Sequence, residues 1–458
     1  MNKGTSKKSS GFIDAISMVA GKIGNQRHLG AIRDGFITLM PLLIVGSLVT
    51  LINNFPVGAG SDDTLRWVYL EGNPAFQWLA NLNGSVWWGT FGMISIFAAA
   101  TISYYLAKYY DGNRLSAAII SLASYMTIVP QMAIFNLEDG TEAAGWGFIN
   151  YKYVNATGLF VAIIVALVAT ELFVRLSKTN KLIIKMPSNV PPAVSRSFAS
   201  LLPGMITIII VGLLGVIINL IASQNVFDLI SETILTPLSK TSGSFGFGIV
   251  IVFLTHLLWS FGIHGPNIFE AILQPLNVMA IENNTALMTG ASVAPVIFNK
   301  SFADAFIYMG GSGVGLGLVV AILLVSKSKQ NRMVGKLGMA PGLFNINEPV
   351  IFGLPIVLNP IFVIPFIIAP IISLIIAYAA TAIGFLPIVT AVIPWTTPPI
   401  LSGLLATNFA WQGPVIQVIN LALSILIYLP FVKAADKIEM KKEMEAGAAD
   451  TANSTNAQ

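Results

Sequence analysis

The sequence predicts an all-α integral membrane protein of about ten transmembrane helices with interfacial amphipathic helices. Three observations carry this. Of 458 residues, 55% are hydrophobic and only 10% charged, against roughly 25% charged in soluble domains. The apolar residues gather in stretches near the ~20 residues that cross ~30 Å of hydrocarbon. The Lys and Arg residues fall in alternate connections, as the bias of basic residues to the inner face requires.

Residues 1–10 are Lys/Ser-rich and read as disordered. From Gly11 to Arg33, Phe12, Ile13, Ile16, Val19, Ala20 and Ile23 recur at helical spacing beside Lys22, Arg27 and Arg33. That pattern fits an amphipathic helix at the inner interface. The polar start gives no sign of a cleavable signal peptide.

Spans are expected at Gly35–Ile52, Trp87–Leu106, Leu115–Phe135, Gly158–Leu176 and Leu201–Ala222. Further spans are expected at Phe245–Ile263, Gly313–Val325, Phe362–Ile383 and Val415–Val432. The apolar region 384–412, with Pro387, Pro394, Pro398 and Pro399, reads as a tenth, interrupted span. Phe227–Leu238 fits a second interfacial helix. Lys+Arg counts are six in 1–33, one in 55–85, two in 108–114, one in 136–155, five in 175–198 and one in 223–243. Basic residues return in 326–336 and after Val432, so both termini are expected on the cytoplasmic side.

The expected organisation is a cytoplasmic segment 1–34, a scaffold or dimerisation domain 35–240, a substrate-binding transport domain 241–432 and a disordered tail 433–458. The back half holds most of the irregular motifs. Pro266-Asn-Ile-Phe and Pro349-Val-Ile-Phe, each close behind a titratable residue, give a faint repeat signal.

With no cysteine in the chain, disulfides and cysteine nucleophiles are excluded. Three histidines leave little for a metal site, and no cofactor-binding pattern appears. No dense basic run supports nucleic-acid binding.

The chemistry concentrates in Phe344–Pro360. Glu348 lies there between Asn347 and Pro349, with Pro355, Pro360 and Gly353 opposing a continuous helix. Apolar backbone broken in this way is tolerated at membrane depth only inside protein or against water. A carboxylate in it is a site hypothesis, the alternative being one that faces cytoplasmic water. Pro349 biases Glu348 toward extended backbone. Shielded from water, its pKa would rise and suit a general base toward a hydroxyl. Asn345 and Asn347 add amides.

His264, in Gly262-Ile-His-Gly-Pro, sits where a span breaks; the alternatives are a binding imidazole and an interfacial helix end. His256 is expected to bond a nearby carbonyl. Lys300 is the single Lys or Arg between Lys240 and Lys327, with Asp304 one helical turn on as its partner. A structural pair and a substrate contact are both open for them, and the Asn299 amide suits a sugar hydroxyl. Trp395 and Trp411 are either sugar platforms or part of an interfacial belt. Glu171, Glu270 and Glu282 read as structural or loop carboxylates.

Gly262-Ile-His-Gly-Pro, Asn299-Lys-Ser-Phe-Ala-Asp and Asn347-Glu-Pro-Val-Ile-Phe-Gly-Leu-Pro together resemble the membrane IIC subunit of the bacterial sugar phosphotransferase system, lactose/cellobiose/diacetylchitobiose branch. The resemblance runs over almost the whole chain and includes Arg33-Asp-Gly-Phe.

It implies a homodimer in the bacterial cytoplasmic membrane, with ten crossings and two re-entrant hairpins per protomer. It implies a β-linked disaccharide, cellobiose before diacetylchitobiose or lactose, bound in the back half. His264 and Glu348 match the family's sugar-binding pair, Glu348 lying beside the hydroxyl to be phosphorylated. Asn299, Lys300, Asp304 and Asn347 match the surrounding binding segments, and Trp395 an aromatic platform. The phosphoryl donor would be a cysteine on a separate IIB subunit, docking at basic loops around 178–196 and 327–336. The competing readings are a proton- or sodium-coupled sugar transporter and a membrane sugar sensor.

Overall fold

The computed structural model describes residues 26–53, 74–136, 142–179, 181, 182, 184, 187, 190–354, 356, 357 and 359–455. The segment 1–10, most of the amphipathic stretch from Gly11, Trp67 and Pro355 lie outside them. The described chain is predominantly helical and falls into two compact units.

One unit comprises Lys22–Thr241 and Glu270–Glu282. It contains α1 (Arg27–Asn53), α2 (Pro74–Gly89), α3 (Ile94–Tyr109), α4 (Arg114–Ile128), α5 (Leu159–Ser177) and α6 (Pro192–Ala222). Small residues let these helices approach closely. A Cβ on Gly35 would stand 2.7 Å from Ile102, and one on Gly204 2.8 Å from Ile120, the close packing that lipid-embedded helices use. Ser103 and Thr170 hydroxyls bond between α3 and α5, both buried.

The sequence expectations for this unit need three corrections. α1 begins at Arg27, so the end of the expected interfacial helix is the first turn of the first span. The expected span from Trp87 is broken at Thr90 by a short 3-10 turn, Phe91–Met93, between α2 and α3. The expected span Leu115–Phe135 stops at Ile128. Pro130 cannot continue a helix and holds Val129 extended, at ψ 126°. A hairpin follows, β1 (Met132–Asn136) antiparallel to β2 (Glu142–Trp146), with Met132 opposite Trp146. The stretch expected as a second interfacial helix is helical, running as α7 (Val226–Ile230), a π turn Ser231–Leu235 and α8 (Thr236–Ser242).

The other unit comprises Ser242–Phe269 and Asn283 onward. It contains α9 (Phe245–Ser260), α11 (Lys300–Phe306), α12 (Gly315–Val325), α13 (Lys329–Leu343), α14 (Glu348–Gly353), α15 (Pro360–Ala382), α16 (Leu401–Ala406) and α17 (Gln412–Thr455). The long α10 (Gly265–Met288), not foreseen from the sequence, contributes residues to both units. The core gathers Trp259, Met309, Leu318, Ile322, Val350, Phe362, Phe366 and Tyr428. α12 meets α17 where Gly317 leaves room for Ser424.

Two further expectations change here. Region 384–412 holds no helix beyond the six residues of α16, because its four prolines break the ladder. The tail expected to be disordered continues α17 to Thr455. Its Lys, Glu, Ala and Met residues are strong helix formers, and Lys442 pairs with Glu439 at 3.0 Å. Six helices are long and apolar enough to cross a membrane, with α4, α9 and α12 as shorter apolar helices, among the described residues. α6 is the least buried of the six and leaves Leu213, Leu220 and Ile221 on an exposed apolar face.

Candidate functional site

The Phe344–Pro360 segment is interrupted, as its prolines require. α14 is six residues long, and the next helix begins at Pro360. Glu348 is the first residue of α14 rather than extended. Pro349 follows within the first turn, where a missing N–H breaks no helical bond, so the bias against helix before proline is overcome. The side chain of Glu348 keeps 45% of its surface exposed.

Two asparagines hold this segment. Asn345 stands in the left-handed region, φ +63°, which an Asn tolerates better than most side chains. Its Oδ1 accepts the Gly310 N–H at 2.7 Å. Its Nδ2 donates to the carbonyls of Trp395 at 2.6 Å and Thr397 at 3.0 Å. Asn347 donates to the Ser312 carbonyl. Both are buried, and the Nδ2 of Asn347, a residue expected to bind substrate, is engaged by the backbone. Behind them, Gly338 of α13 leaves room for Val350, where a Cβ would come within 2.3 Å.

The partner of both asparagines is a glycine loop, residues 308–314. Gly310, Gly311 and Gly313 have φ of +76°, +85° and +77°. A side chain is excluded at Gly311, where a Cβ would fall 2.6 Å from the Asn347 side chain. Gly313 donates to His256 Nε2 at 2.9 Å and accepts from the Tyr428 hydroxyl at 2.6 Å. This loop and Tyr428 were missed in the sequence, where Gly313 read as the start of a span. Three glycines in four residues were the available signal.

His264 is the N-cap of α10. Its Nδ1 accepts the Asn267 N–H at 3.3 Å. Gly265 is required beside it, because a Cβ would lie 2.2 Å from the Thr255 carbonyl. The Trp259 ring packs on the imidazole at a centroid distance of 4.6 Å. With Nδ1 accepting, a neutral ring carries its proton on Nε2. That nitrogen lies 3.9 Å from Glu348 Oε1. One donor and one carboxylate, about half exposed, thus face the same space and suit a polyhydroxylated neutral ligand.

The remaining expected residues divide. Trp395 is 45% exposed, with its backbone fixed by Asn345. Lys300 and Asp304 form the expected ion pair at 2.6 Å, with side chains 12% and 11% exposed. Asn299 is the N-cap of α11, its Oδ1 accepting from Phe302 N–H at 2.8 Å and its Nδ2 donating to Val296. His256 bonds the Val252 carbonyl at 2.6 Å, as its sequence context indicated. Glu282, read as structural, accepts from Tyr151, Asn155 and the Ala156 N–H.

The chain matches the family model for the phosphotransferase system, EIIC, over residues 33–370. It is 37% identical over 441 residues to a lichenan permease IIC component of Bacillus subtilis, covering 94% of each chain. It is 37% identical over 434 residues to a cellobiose-specific EIIC component of Geobacillus stearothermophilus, again covering 94% of each. Its fold is similar to the crystal structure of the transporter ChbC, the IIC component from the N,N'-diacetylchitobiose-specific phosphotransferase system. There the TM-score is 0.86 at 37% identity, covering 94% of this chain and 99% of that one. On the family match, the identities and the fold together, the chain belongs to the EIIC family of the phosphotransferase system and is an integral membrane protein.

Proposed function

We propose that this protein is a permease that imports a β-linked disaccharide, cellobiose above all, for phosphorylation by a separate cysteine-bearing IIB subunit. The observation that carries the reading is the meeting of His264 and Glu348 at 3.9 Å, each at the start of a helix behind broken backbone. The relatives named for cellobiose, lichenan and diacetylchitobiose support the substrate class.

In this reading Glu348 and His264 bond sugar hydroxyls, and Trp395 lies against the ring. A hydrogen bond to the carboxylate contributes about 1.5–3 kcal/mol. Asn345, Asn347, Asn299 and the Lys300–Asp304 pair hold the walls. The sugar hydroxyl then attacks the phosphocysteine phosphorus. An O–P bond forms, the S–P bond breaks, the thiolate leaves, and Glu348 takes the hydroxyl proton as general base.

We place both termini in the cytoplasm and residues 35–240 as the scaffold of a homodimer. Residues 241–432 carry the sugar, in a protomer of ten crossings. The exposed apolar face of α6 is assigned to lipid or to the second protomer. The basic residues Lys327, Lys329, Arg332 and Lys336 are assigned to IIB docking. Uptake into proteoliposomes tests the function. Cellobiose accumulation is expected only with phosphorylated IIB subunit inside; accumulation driven by a proton or sodium gradient alone would replace this reading with a secondary transporter.

A further inference from the structure

We propose that His256 is a positioning residue that sets the spacing between His264 and Glu348; this rests on reading that pair as the sugar site. His256 is fully buried. Its Nδ1 lies 2.6 Å from the Val252 carbonyl oxygen and its Nε2 2.9 Å from the Gly313 amide nitrogen. A carbonyl takes only a donor and an amide N–H only an acceptor. The ring is therefore neutral, with its proton on Nδ1. Tyr308 and Phe366 pack against it, at centroid distances of 5.7 and 5.3 Å.

Each half of the site hangs from one side of the His256–Gly313 bond. On one side, α9 runs from His256 through Trp259, which packs on His264, into the turn that ends at His264. On the other, the glycine loop holds Asn345 through the Gly310 N–H and Asn347 through the Ser312 carbonyl. Those two residues bracket the approach to Glu348.

The loop needs such an anchor. Gly310, Gly311, Gly313 and Val314 all have positive φ, and for the β-branched Val314, at +53°, this is strained. Conformations of this kind persist only where the surroundings over-determine them. His256 supplies the acceptor for the Gly313 N–H, and Tyr428 the donor for the Gly313 carbonyl. A leucine at 256 removes the acceptor and leaves a buried N–H without a partner. A glutamine restores both an acceptor and a donor.

Two measurements on the full chain test this. The chain has no native cysteine, so His264→Cys and Glu348→Cys can be combined and joined by a short bis-methanethiosulfonate. Adding His256→Leu is expected to slow cross-linking about fivefold or more, and His256→Gln by less than about twofold, if the buried bond fixes the spacing. Equal rates for all three would overturn the proposal and leave the sugar site standing.

The second measurement is cellobiose binding in a double-mutant cycle with Glu348→Gln. His256→Leu is expected to weaken binding about tenfold beside Glu348 but less than about twofold beside Glu348→Gln, the non-additivity of coupled residues. Losses that multiply would show a general structural effect and overturn positioning. Full cellobiose affinity in Glu348→Gln alone would overturn the sugar-site reading, and cross-linking would still decide the spacing.

Discussion

His264 Nε2 faces Glu348 Oε1 across 3.9 Å, and both residues open a helix whose first turn contains a proline. Pro266 and Pro349 sit where a missing N–H breaks no helical bond. The chain thus halts one helix, presents a polar side chain, and begins another at two separate places. The Glu348 start is held to the glycine loop through Asn345 and Asn347, and the same loop bonds His256 of α9, the helix that precedes His264.

That loop makes Gly313 a position where any side chain is costly. Its φ is +77°, and a Cβ would come within 2.1 Å of the Phe366 ring. Gly313→Ala is expected to lower stability by about 2–4 kcal/mol, combining left-handed backbone cost with overpacking. Gly290, at φ +99° with nothing within 4 Å of an added Cβ, is the control and loses only the backbone part. Thermal unfolding in detergent, compared at matched conditions, measures both.

The Lys300–Asp304 pair is short and nearly buried. Either Lys300→Met or Asp304→Leu is expected to cost about 3 kcal/mol or more, because a charge is left in a poorly solvated place. The double variant is expected to recover most of that loss and, if the pair holds the walls as proposed, to keep cellobiose binding. Denaturation of the three variants checks the first part, and equilibrium binding the second.

Asp436, itself buried, fastens α17 to the start of α13. Its carboxylate accepts from the Ser326 hydroxyl, the Lys327 N–H at 2.7 Å, the Ser328 N–H at 3.0 Å and Asn331 Nδ2 at 3.3 Å. Asp436→Ala leaves several of these donors without a partner and is expected to destabilise by about 2–3 kcal/mol. Glu443, which accepts from Ser328, Lys329 and Gln330 on the same turn, is more exposed, and Glu443→Ala is expected to cost less. Hydrogen exchange of the α13 amides distinguishes local loosening from global unfolding.

Membrane character was plain in the sequence because it depends on composition and stretch length alone. Glu348 and His264 were legible for a related reason: charge and proline are both rare in apolar helices, so their coincidence stands out. Their meeting was not legible, since it depends on loop geometry around Gly310–Gly313. The backbone bonds of Asn299 and Asn347 were not legible, because an amide that binds sugar and one that bonds backbone are the same residue type. Those bonds depend on burial, and burial is a tertiary property. The fate of 384–412 was half legible: its prolines foretold interruption but not the absence of any spanning helix. The helical tail after Val432 was missed because high polarity was weighed above the helix propensity of its Lys, Glu, Met and Ala residues.

The proposed transport chemistry stands or falls with the grip of the Glu348 carboxylate on the sugar. Glu348→Gln keeps the size and removes the charge at a side chain 45% exposed, so the fold is expected to survive. Equilibrium binding of radiolabelled cellobiose to the purified variant is the most direct measurement. The expected result is a loss of affinity of about tenfold or more, matching a charged hydrogen bond of about 1.5–3 kcal/mol, with the melting temperature unchanged. Affinity equal to that of the unsubstituted protein would contradict it.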